Sequence, residues 1–352
     1  MAPALEDVWS AEATSPAEIQ DALRDLLHRR YEAGETSAPA RVLNLVAVVD
    51  RAWRGEVANR LERVGRFHPS RTIICAVERG RTTLDAWATM ASESEPGGLA
   101  VSRERVEIEV GVDHVPRIDT IVAPVLAAEL PTLVWVPHGH AEALDALLHL
   151  ANVVLIDSGE EPQVHVALAR AAELAERADV VDLSWLRTRP WREHLFAIFD
   201  PPPIRRTLDQ ISALTVRHRQ DSTAAALLLA GWFASRLGWR VNALIAAVGR
   251  LQGKASVRRQ DVNILLEPML DQDAPGLAGV TVETAAGFSL ALARGPGGLA
   301  ATQRTRDGSE SSWTIMGASR GEIGIFEEGV RQALARDKTY RPALEAARAM
   351  LL

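Results

Sequence analysis

The sequence predicts an N-terminal α/β domain with a mostly parallel sheet, followed by an α+β domain with an antiparallel sheet. The 352 residues are too many for one ordinary core, so two domains are expected. Before residue 180, apolar strands alternate with amphipathic helices, which is typical of an α/β layer architecture. After Pro203, strand patterns follow one another with turn signals between them. We therefore expect an N-terminal helix and linker at 1–40 and domains at 41–180 and 181–352.

The first forty residues predict one helix between irregular segments. Residues 1–14 show no periodic pattern and are expected to lack fixed structure. Ser15 and Glu18 have the spacing of a capping box, and Pro16 suits the first helical position. The helix is expected to run to about Tyr31, and the small residues of 34–40 predict a linker.

The first domain begins with a strand–helix–strand pattern. The near-continuous apolar run at 41–49 is typical of a strand covered on both faces, and the run at 72–77 is similar. The helix between them, 51–64, makes these strands a parallel pair. Alternation of apolar residues with glutamates at 106–110 predicts an edge or half-exposed strand. The other elements expected in this domain are a helix from about 118, strands at 132–136 and 152–156, and helices at 141–150 and from about 164.

The second domain changes to clustered strands. An apolar helix is expected at 222–237, with Asp221 or Ser222 as its N-cap and Gly238 just after its end. Ahead of it, 211–218 has a strand pattern. The later strands are expected at 262–266, 280–284, 288–293, 300–305 and 312–316, and the last helices at 321–335 and 341–351.

Composition excludes several classes of protein. A net charge of −7 argues against general nucleic-acid binding, which needs a basic surface. The longest apolar run, 224–234, is too short to span a bilayer, and no secretion signal is visible. The lone Cys75 sits in an apolar run and is expected to be a buried, inert thiol, without a disulfide or zinc partner. A bacterial, cytoplasmic protein is expected, without membrane or nucleic-acid partners and without a cofactor.

The stretch 182–200 reads DLSWLRTRPWREHLFAIFD and is the most distinctive part of the chain. Pro190 suits the first turn of a helix, and the prolines at 201–203 end that helix. Tryptophan and arginine dominate the energetics of protein interfaces. This Trp/Arg motif therefore predicts a partner contact or, equally, a domain-joint core with a solvated charged face. The candidate contact residues are Trp185, Arg187, Arg189, Trp191 and Arg192.

Three motifs in order resemble the glucose-6-phosphate dehydrogenase assembly protein family, OpcA. They are DLSW followed by PWRE, the HPSR of residues 68–71 ahead of an apolar strand, and LLLAGWFASRLGW at 227–239. The resemblance runs from about Arg41 to the last helix. It implies a non-catalytic partner that assembles or activates glucose-6-phosphate dehydrogenase, and it leaves the oligomeric state open.

A second possible site lies at the edge of the first sheet. Carboxyl ends of parallel strands share one edge, where open α/β sheets bind ligands. We expect Asp50, His138, His140, Asp157 and Ser158 to converge there. Such a set could hold a metal ion or do acid–base work, and it suits a small ligand such as a sugar phosphate, in a binding protein or enzyme. The same residues also suit helix caps and a solvated loop.

Two further motifs allow a structural and a functional interpretation. His68 and Arg71 flank a Pro-Ser pair before a strand, at its amino end. Arg71 there suits a partner contact or an anion clamp, whereas Pro69 suits a rigid turn. The segment 317–321 matches the G-x-S-x-G elbow of hydrolases. No histidine follows Ser319, and Ser319 with Glu322 has capping-box spacing, so we expect a helix cap.

The segment 249–255, GRLQGKA, lacks the spacing and the hydroxyl residue of a phosphate-binding loop. No catalytic residue and no metal site is therefore predicted.

Overall fold

Two β-sheets organise the chain in a computed structural model, which describes residues 6–32, 41–65, 69–94, 100–258, 260–317 and 321–352. The chain divides into two compact units. The first takes the residues up to Ile156, Arg177–Val180 and Val330–Leu334. The second takes Asp157–Glu176, Val181–Gly329 and Ala335–Leu352.

The first sheet has eight strands in the order β1-β4-β5-β3-β2-β6-β7-β8. Their bounds are β1 Glu6–Ala11, β2 Leu43–Asp50, β3 Ser70–Glu78, β4 Asp85–Ser94, β5 Ala100–Gly111, β6 Thr132–Trp135, β7 Val153–Ile156 and β8 Asp179–Asp182. The run from β5 through β3, β2 and β6 to β7 is parallel, and β1, β4 and β5 pair antiparallel. Because β3 and β6 lie on opposite sides of β2, the strand order reverses at β2. The predicted mostly parallel sheet is confirmed.

Helices connect and cover these strands. They are α1 Pro16–Glu32, α2 Arg54–Gly65, α3 Ile118–Val122, α4 Ala141–Leu147 and α5 Val164–Ala175. The capping box of α1 forms as predicted: the Ser15 N–H donates to Glu18 Oε2 at 2.9 Å, and the Glu18 N–H donates to Ser15 Oγ at 3.3 Å. The helix α5, which we expected in the first domain, is counted with the second unit.

Three features of the first unit differ from the sequence prediction. Residues 6–11 form β1, paired along its whole length with β4, instead of lacking structure. The strand β4 has no counterpart in the prediction. The strand β5 lies inside the sheet, between β4 and β3, and not at its edge. The reason is that the two alternating glutamates of that pattern, Glu107 and Glu109, are bound by arginines and have side chains that are only 13% and 2% exposed.

The second sheet has nine strands. Their bounds are β9 Ile211–Arg219, β10 Arg240–Val241, β11 Ile245–Ala247, β12 Arg250–Val257, β13 Gln260–Met269, β14 Leu277–Thr284, β15 Ser289–Gly295, β16 Gly298–Arg304 and β17 Glu310–Met316. The order is β10-β12-β13-β9-β14-β15-β16-β17, and β11 pairs with β12. All pairs are antiparallel except β13 with β9, which agrees with the predicted antiparallel sheet.

The helices of the second unit include a long apolar helix, which packs against α5 and against the helices that begin at Leu183 and Tyr340. Besides α5 they are α6 Leu183–Arg187, α7 Arg189–Phe199, α8 Pro202–Arg205, α9 Thr223–Leu237, α10 Glu322–Gln332 and α11 Tyr340–Ala349. The helix α9 is apolar on nearly all sides because it is buried on nearly all sides. It passes so close to α11 that a Cβ at Gly231 would lie 2.1 Å from the Ala343 carbonyl oxygen. Gly238, at φ +67°, ends α9 as predicted.

Candidate functional site

The Trp/Arg motif begins at Asp182, whose carboxylate organises the turn into α6. Its Oδ1 accepts the N–H groups of Ser184 at 2.9 Å and Ser158 at 3.1 Å. Its Oδ2 lies 3.0 Å from the hydroxyl of Tyr340. Burial, with a smaller contribution from the charge of Asp157, raises the pKa of Asp182 to about 6 although these hydrogen bonds oppose the shift. The DLSW sequence is therefore a helix start built around a buried acid.

Arg187 is held by two carboxylates. Its Nη1 and Nη2 donate to the two oxygens of Asp157 at 2.8 and 2.7 Å, and its Nε donates to Glu322 at 3.0 Å. Ser184 Oγ also donates to Asp157, at 2.8 Å. Burial, the largest single influence, raises the pKa of Asp157. The hydrogen bonds and charge of Arg187, together with the hydrogen bonds of Ser184 and Gly159, outweigh burial, so the net pKa is lowered. The bidentate pair consumes the donors that an external anion would need.

Trp185 lies between a carboxylate and a guanidinium. Its Nε1 donates to Asp337 Oδ2 at 2.7 Å, and the Arg192 guanidinium carbon stands 3.5 Å from the centre of its ring. Arg192 Nε donates to Thr188 Oγ1 at 2.9 Å. Burial lowers the pKa of Arg192 to about 10, with Asp337 acting in the opposite direction. Cation–π stacking and the Trp185 hydrogen bond fix α6 against the segment that precedes α11.

These contacts make the motif largely internal to the second unit. Trp185 and Trp191 are each 2% exposed, and the Arg187 side chain is 11% exposed. Arg189 is the most accessible of the five candidates, and it pairs with Glu193 at 2.6 Å and with Glu328. The acids that neutralise the arginines mostly lie far along the chain. The partner-contact role of the motif therefore stays a prediction. The contacts that these side chains make in the structure stabilise the second unit.

The other side of α7 borders an apolar groove of about 340 Å³. Phe196, on α7, is 62% exposed at this groove. Opposite stand Trp232 and Phe233 of α9, whose rings meet edge to face at 5.1 Å. The lining also includes Leu195, Phe199, Leu208 and Leu237. The sequence analysis missed this groove, although the aromatic residues of the two apolar helices were a signal for it.

Charged residues frame the groove. Two arginines line it, Arg205 and Arg236. Arg205 forms an ion pair with Asp200. Arg236 has no ion partner among the residues that the structure describes. An exposed aromatic ring beside an uncompensated arginine is the chemistry of an interface that accepts an apolar side chain next to an acid.

At the carboxyl edge of the first sheet, part of the predicted cluster forms. His140 Nε2 lies 3.0 Å from Asp50 Oδ1, and the His138 ring stacks on Trp53 with centroids 4.7 Å apart. His138, Gly139 and His140 have φ values of +62°, +105° and +54°. These residues follow β2 and β6, where the strand order reverses. Three successive residues with positive φ form a strained turn, of the kind found at functional sites.

The other two members of that predicted cluster are used elsewhere. Asp157 is held by Arg187, and the N–H of the buried Ser158 donates to Asp182, all within the second unit. Within the described ranges, no group of three or more His, Cys, Asp or Glu side chains is arranged to hold a metal ion.

The remaining candidates of the sequence analysis are structural or lie outside the described residues. Arg71 Nε donates to Glu104 at 2.8 Å and its Nη1 donates to the Val125 carbonyl at 2.9 Å. This arginine is mostly buried and is held by these two acceptors. His68 and Ser319 lie outside the described residues. Residues 250–255 of the rejected phosphate-loop segment belong to the strand β12. In the part of the chain that the structure describes, no helix has the length and apolarity to cross a bilayer.

Comparison with known proteins adds two family matches. Residues 61–173 match the N-terminal domain, and residues 178–344 the C-terminal domain, of a family described as glucose-6-phosphate dehydrogenase subunit, OpcA. These two stretches make up most of the chain.

Curated relatives and a solved structure are also similar. A putative OxPP cycle protein OpcA of Synechocystis sp. is 30% identical over 131 residues, 36% of this chain and 28% of that protein. Its counterpart from Synechococcus elongatus is 30% identical over 141 residues, 39% of this chain and 32% of that protein. The aligned part thus spans less than a third of the relatives' length. A crystal structure of an oxidoreductase from Sinorhizobium meliloti aligns with a TM-score of 0.50 at 11% identity, covering 88% of this chain and 95% of that chain. That likeness concerns the fold alone.

Proposed function

The chain belongs to the OpcA family of glucose-6-phosphate dehydrogenase assembly proteins, and on this premise we propose that it is a non-catalytic, cytoplasmic partner that binds and activates glucose-6-phosphate dehydrogenase. The observation that carries the proposal is the pair of family matches, at 61–173 and 178–344. The descriptions of both matched domains name glucose-6-phosphate dehydrogenase. The N-terminal domain matches ahead of the C-terminal domain along the chain. The role lies in the oxidative pentose phosphate cycle, to which the names of the relatives refer.

The internal bonding of the charged candidate residues agrees with a non-catalytic role. Arg187 and Asp157 bind each other, and Arg71 is bound to Glu104. Asp50 and His140 form a hydrogen-bonded pair, and among the described residues no hydroxyl or thiol is hydrogen-bonded to either side chain. A protein that acts by binding an enzyme needs a contact surface and does not need a set of catalytic residues.

We place the contact with the dehydrogenase on the groove beside α7. The buried motif holds the N-terminal half of α7 through Arg189 and Arg192. Phe196 follows one turn later on the same helix. The groove offers an apolar seat of a size suited to one or two side chains of a partner. Arg236 adds a positive charge, which suits an acidic residue next to that side chain. Because the chain as a whole carries a net charge of −7, an acidic partner residue is attracted to this site more than to the rest of the surface.

Activation follows from linkage. A protein that binds one state of the dehydrogenase more tightly than another shifts the enzyme's population toward that state. Coupling free energies of this kind are typically about 1–3 kcal/mol, or roughly 5- to 150-fold in affinity. The shift requires no residue of this chain to touch the enzyme's substrate.

The test is enzyme kinetics with the dehydrogenase of the same organism at fixed substrate, titrated with this protein. We expect wild type to bind and to raise the activity. Phe196→Ser should weaken binding by about 2 kcal/mol, roughly 30-fold, if Phe196 is a central anchor. Leu270→Ser, at another exposed apolar residue of the second unit, is the matched control. Circular dichroism confirms that both variants are folded.

The outcomes separate the function from the surface. If wild type neither binds nor stimulates the dehydrogenase, the proposed function is refuted. If wild type acts but Phe196→Ser acts equally well, the groove is not the contact and the function stands. Arg236→Glu should weaken binding more than Arg240→Glu, a charge reversal on β10 outside the groove.

A second candidate function is binding of a sugar phosphate at the carboxyl edge of the first sheet. The observation that favours it is the strained His138–His140 turn beside the Asp50–His140 hydrogen bond. A thermal-shift panel of sugar phosphates and nucleotides tests it. A specific shift that His140→Ala abolishes supports this candidate, and no shift for any compound refutes it.

A further inference from the structure

The strand β17, Glu310–Met316, is an edge strand exposed on both of its faces. It ends the nine-stranded sheet, and among the described residues β16 is the one strand that pairs with it. Trp313 is 37% exposed and Met316 is 74% exposed. The opposite end of the same sheet is the strand β10, whose two residues offer little backbone to an added strand. With seven residues, β17 is the longer of the two edge strands.

This edge lacks the usual protection against pairing. Natural edge strands carry lysine, proline or a bulge, which prevent another strand from joining. The sequence ESSWTIM contains neither lysine nor proline, and Glu310 is its one charged residue. Its register with β16 is regular over all seven pairs, without a bulge. Such an edge is suited to receive a further strand.

The flanking hydrogen bonds show which side of β17 each backbone group faces. The Gly317 N–H donates to the Gly297 carbonyl at 3.0 Å, and the Ser309 carbonyl accepts from the Thr305 N–H at 2.9 Å. Backbone groups of successive strand residues alternate between the two sides of the strand. The odd-numbered residues therefore face β16. The even-numbered residues point their N–H and C=O groups outward: Glu310, Ser312, Thr314 and Met316.

We propose that a second copy of this chain adds its own β17 antiparallel to this edge, across a two-fold axis at Trp313. In that register Glu310 pairs with Met316 of the second copy, and Ser312 pairs with Thr314 of the second copy. All four outward-facing residues of each strand are then paired. Four such pairs form on the order of eight backbone hydrogen bonds. The two sheets become one continuous sheet in a closed dimer.

The strand is complementary to itself in this register. Its single acid meets a methionine and not the acid of the other copy, so no like charges face each other. The two central pairs join small hydroxyl side chains. Trp313 faces Trp313 of the second copy at a closely spaced pair, where side chains contact most directly. A shift of the register by two residues leaves outward groups unpaired at both ends. An isologous interface of this kind requires such self-complementarity.

The first test compares two double variants by analytical ultracentrifugation over a range of concentrations. Ser312→Lys/Thr314→Lys places lysine opposite lysine in both central pairs, and we expect the dimer Kd to rise at least tenfold. Ser312→Lys/Thr314→Glu places lysine opposite glutamate in the same pairs, and we expect a dimer at least as tight as wild type. A wild-type monomer at every concentration overturns the proposal, as does a dimer that responds equally to both variants.

The second test reads the register directly. Trp313→Cys places two thiols opposite each other, so oxidation should give a disulfide-linked dimer. Ser311→Cys is the control, because Ser311 faces Ile315 of the second copy and its two thiols are far apart. The native Cys75 is buried and does not interfere. Equal cross-linking of the two variants, or none in Trp313→Cys, overturns the proposed pairing. This inference does not rest on the proposed function.

Discussion

Replacing Asp182 with asparagine tests the buried acid at the centre of the Trp/Arg motif. Both backbone donors meet Oδ1, from Ser158 and Ser184, while Oδ2 faces the hydroxyl of Tyr340. A proton on Oδ2 can be donated to that hydroxyl oxygen without the loss of either backbone bond. The amide of Asp182→Asn reproduces this protonated form, because its NH₂ takes the place of Oδ2.

The magnitude follows from the pKa. Burial raises the pKa of Asp182 from 3.8 to about 6, so the native state binds this proton more tightly than the unfolded state does. The resulting stability is present in full below pH 3.8 and is lost as the pH rises through 6. At about 1.36 kcal/mol per pH unit the whole effect is about 3 kcal/mol, of which about 1.4 kcal/mol falls between pH 8 and pH 5.

The assay is urea denaturation of wild type and Asp182→Asn at pH 5 and pH 8. Other carboxylates titrate in both proteins, so the difference between the two free energies of unfolding isolates Asp182. When the pH falls from 8 to 5, the free energy of unfolding of wild type should increase by about 1.4 kcal/mol relative to that of the variant. Asp271→Asn, which removes an exposed carboxylate, controls for the loss of one negative charge. A constant difference, or one of the opposite sign, refutes the raised pKa and shows that the donors around Asp182 stabilise its charge.

Three further predictions use urea denaturation or metal analysis. Gly231→Ala should lower the free energy of unfolding by on the order of 1–3 kcal/mol, because the new Cβ would meet the backbone of α11. Gly55→Ala, where nothing lies within 4 Å of the new Cβ, should raise it by about 0.5–1 kcal/mol. Equal effects of the two substitutions would contradict the close approach of α9 and α11. Glu104→Ala should cost about 3–5 kcal/mol, since it leaves two arginines without their buried partner, whereas Glu56→Ala at an exposed pair should cost less than about 1 kcal/mol. Chelators should leave the thermal unfolding temperature unchanged, and one equivalent of tightly bound metal in the native protein would show that prediction to be wrong.

Local patterns predicted much of the fold because they act over short stretches. The apolar helix α9, its end at Gly238 and the strands between residues 260 and 316 are where periodicity and turn residues indicate. The strand β1 was missed because it pairs with β4, which lies far from it in sequence. The strand β4 was missed because its buried residues, Ala86, Ala88 and Met90, are not β-branched or aromatic and give a weak strand signal. The place of β5 was wrong because alternating glutamates look exposed until their arginine partners are known.

The candidate site was less predictable because its partners lie far apart in the chain. The sequence brings arginines together in the motif, but the acid at residue 157 is 30 positions from Arg187 and Glu322 is 135 positions from it. The rule for parallel strands did bring Asp50 and His140 to one edge. The groove beside α7 depends on the packing of two helices whose relative position no local pattern specifies.

The burial of the DLSW and PWRE segments has a consequence for how this family diverges. Residues that hold each other inside a unit tolerate few substitutions whatever enzyme the protein serves, so they persist as a signature between distant members. Phe196 and the rim of the groove carry no such internal constraint and are free to change together with a cognate surface. In a set of matched sequences from many genomes, we expect Trp185 and Arg187 to stay fixed, while the groove covaries with the dehydrogenase of the same genome.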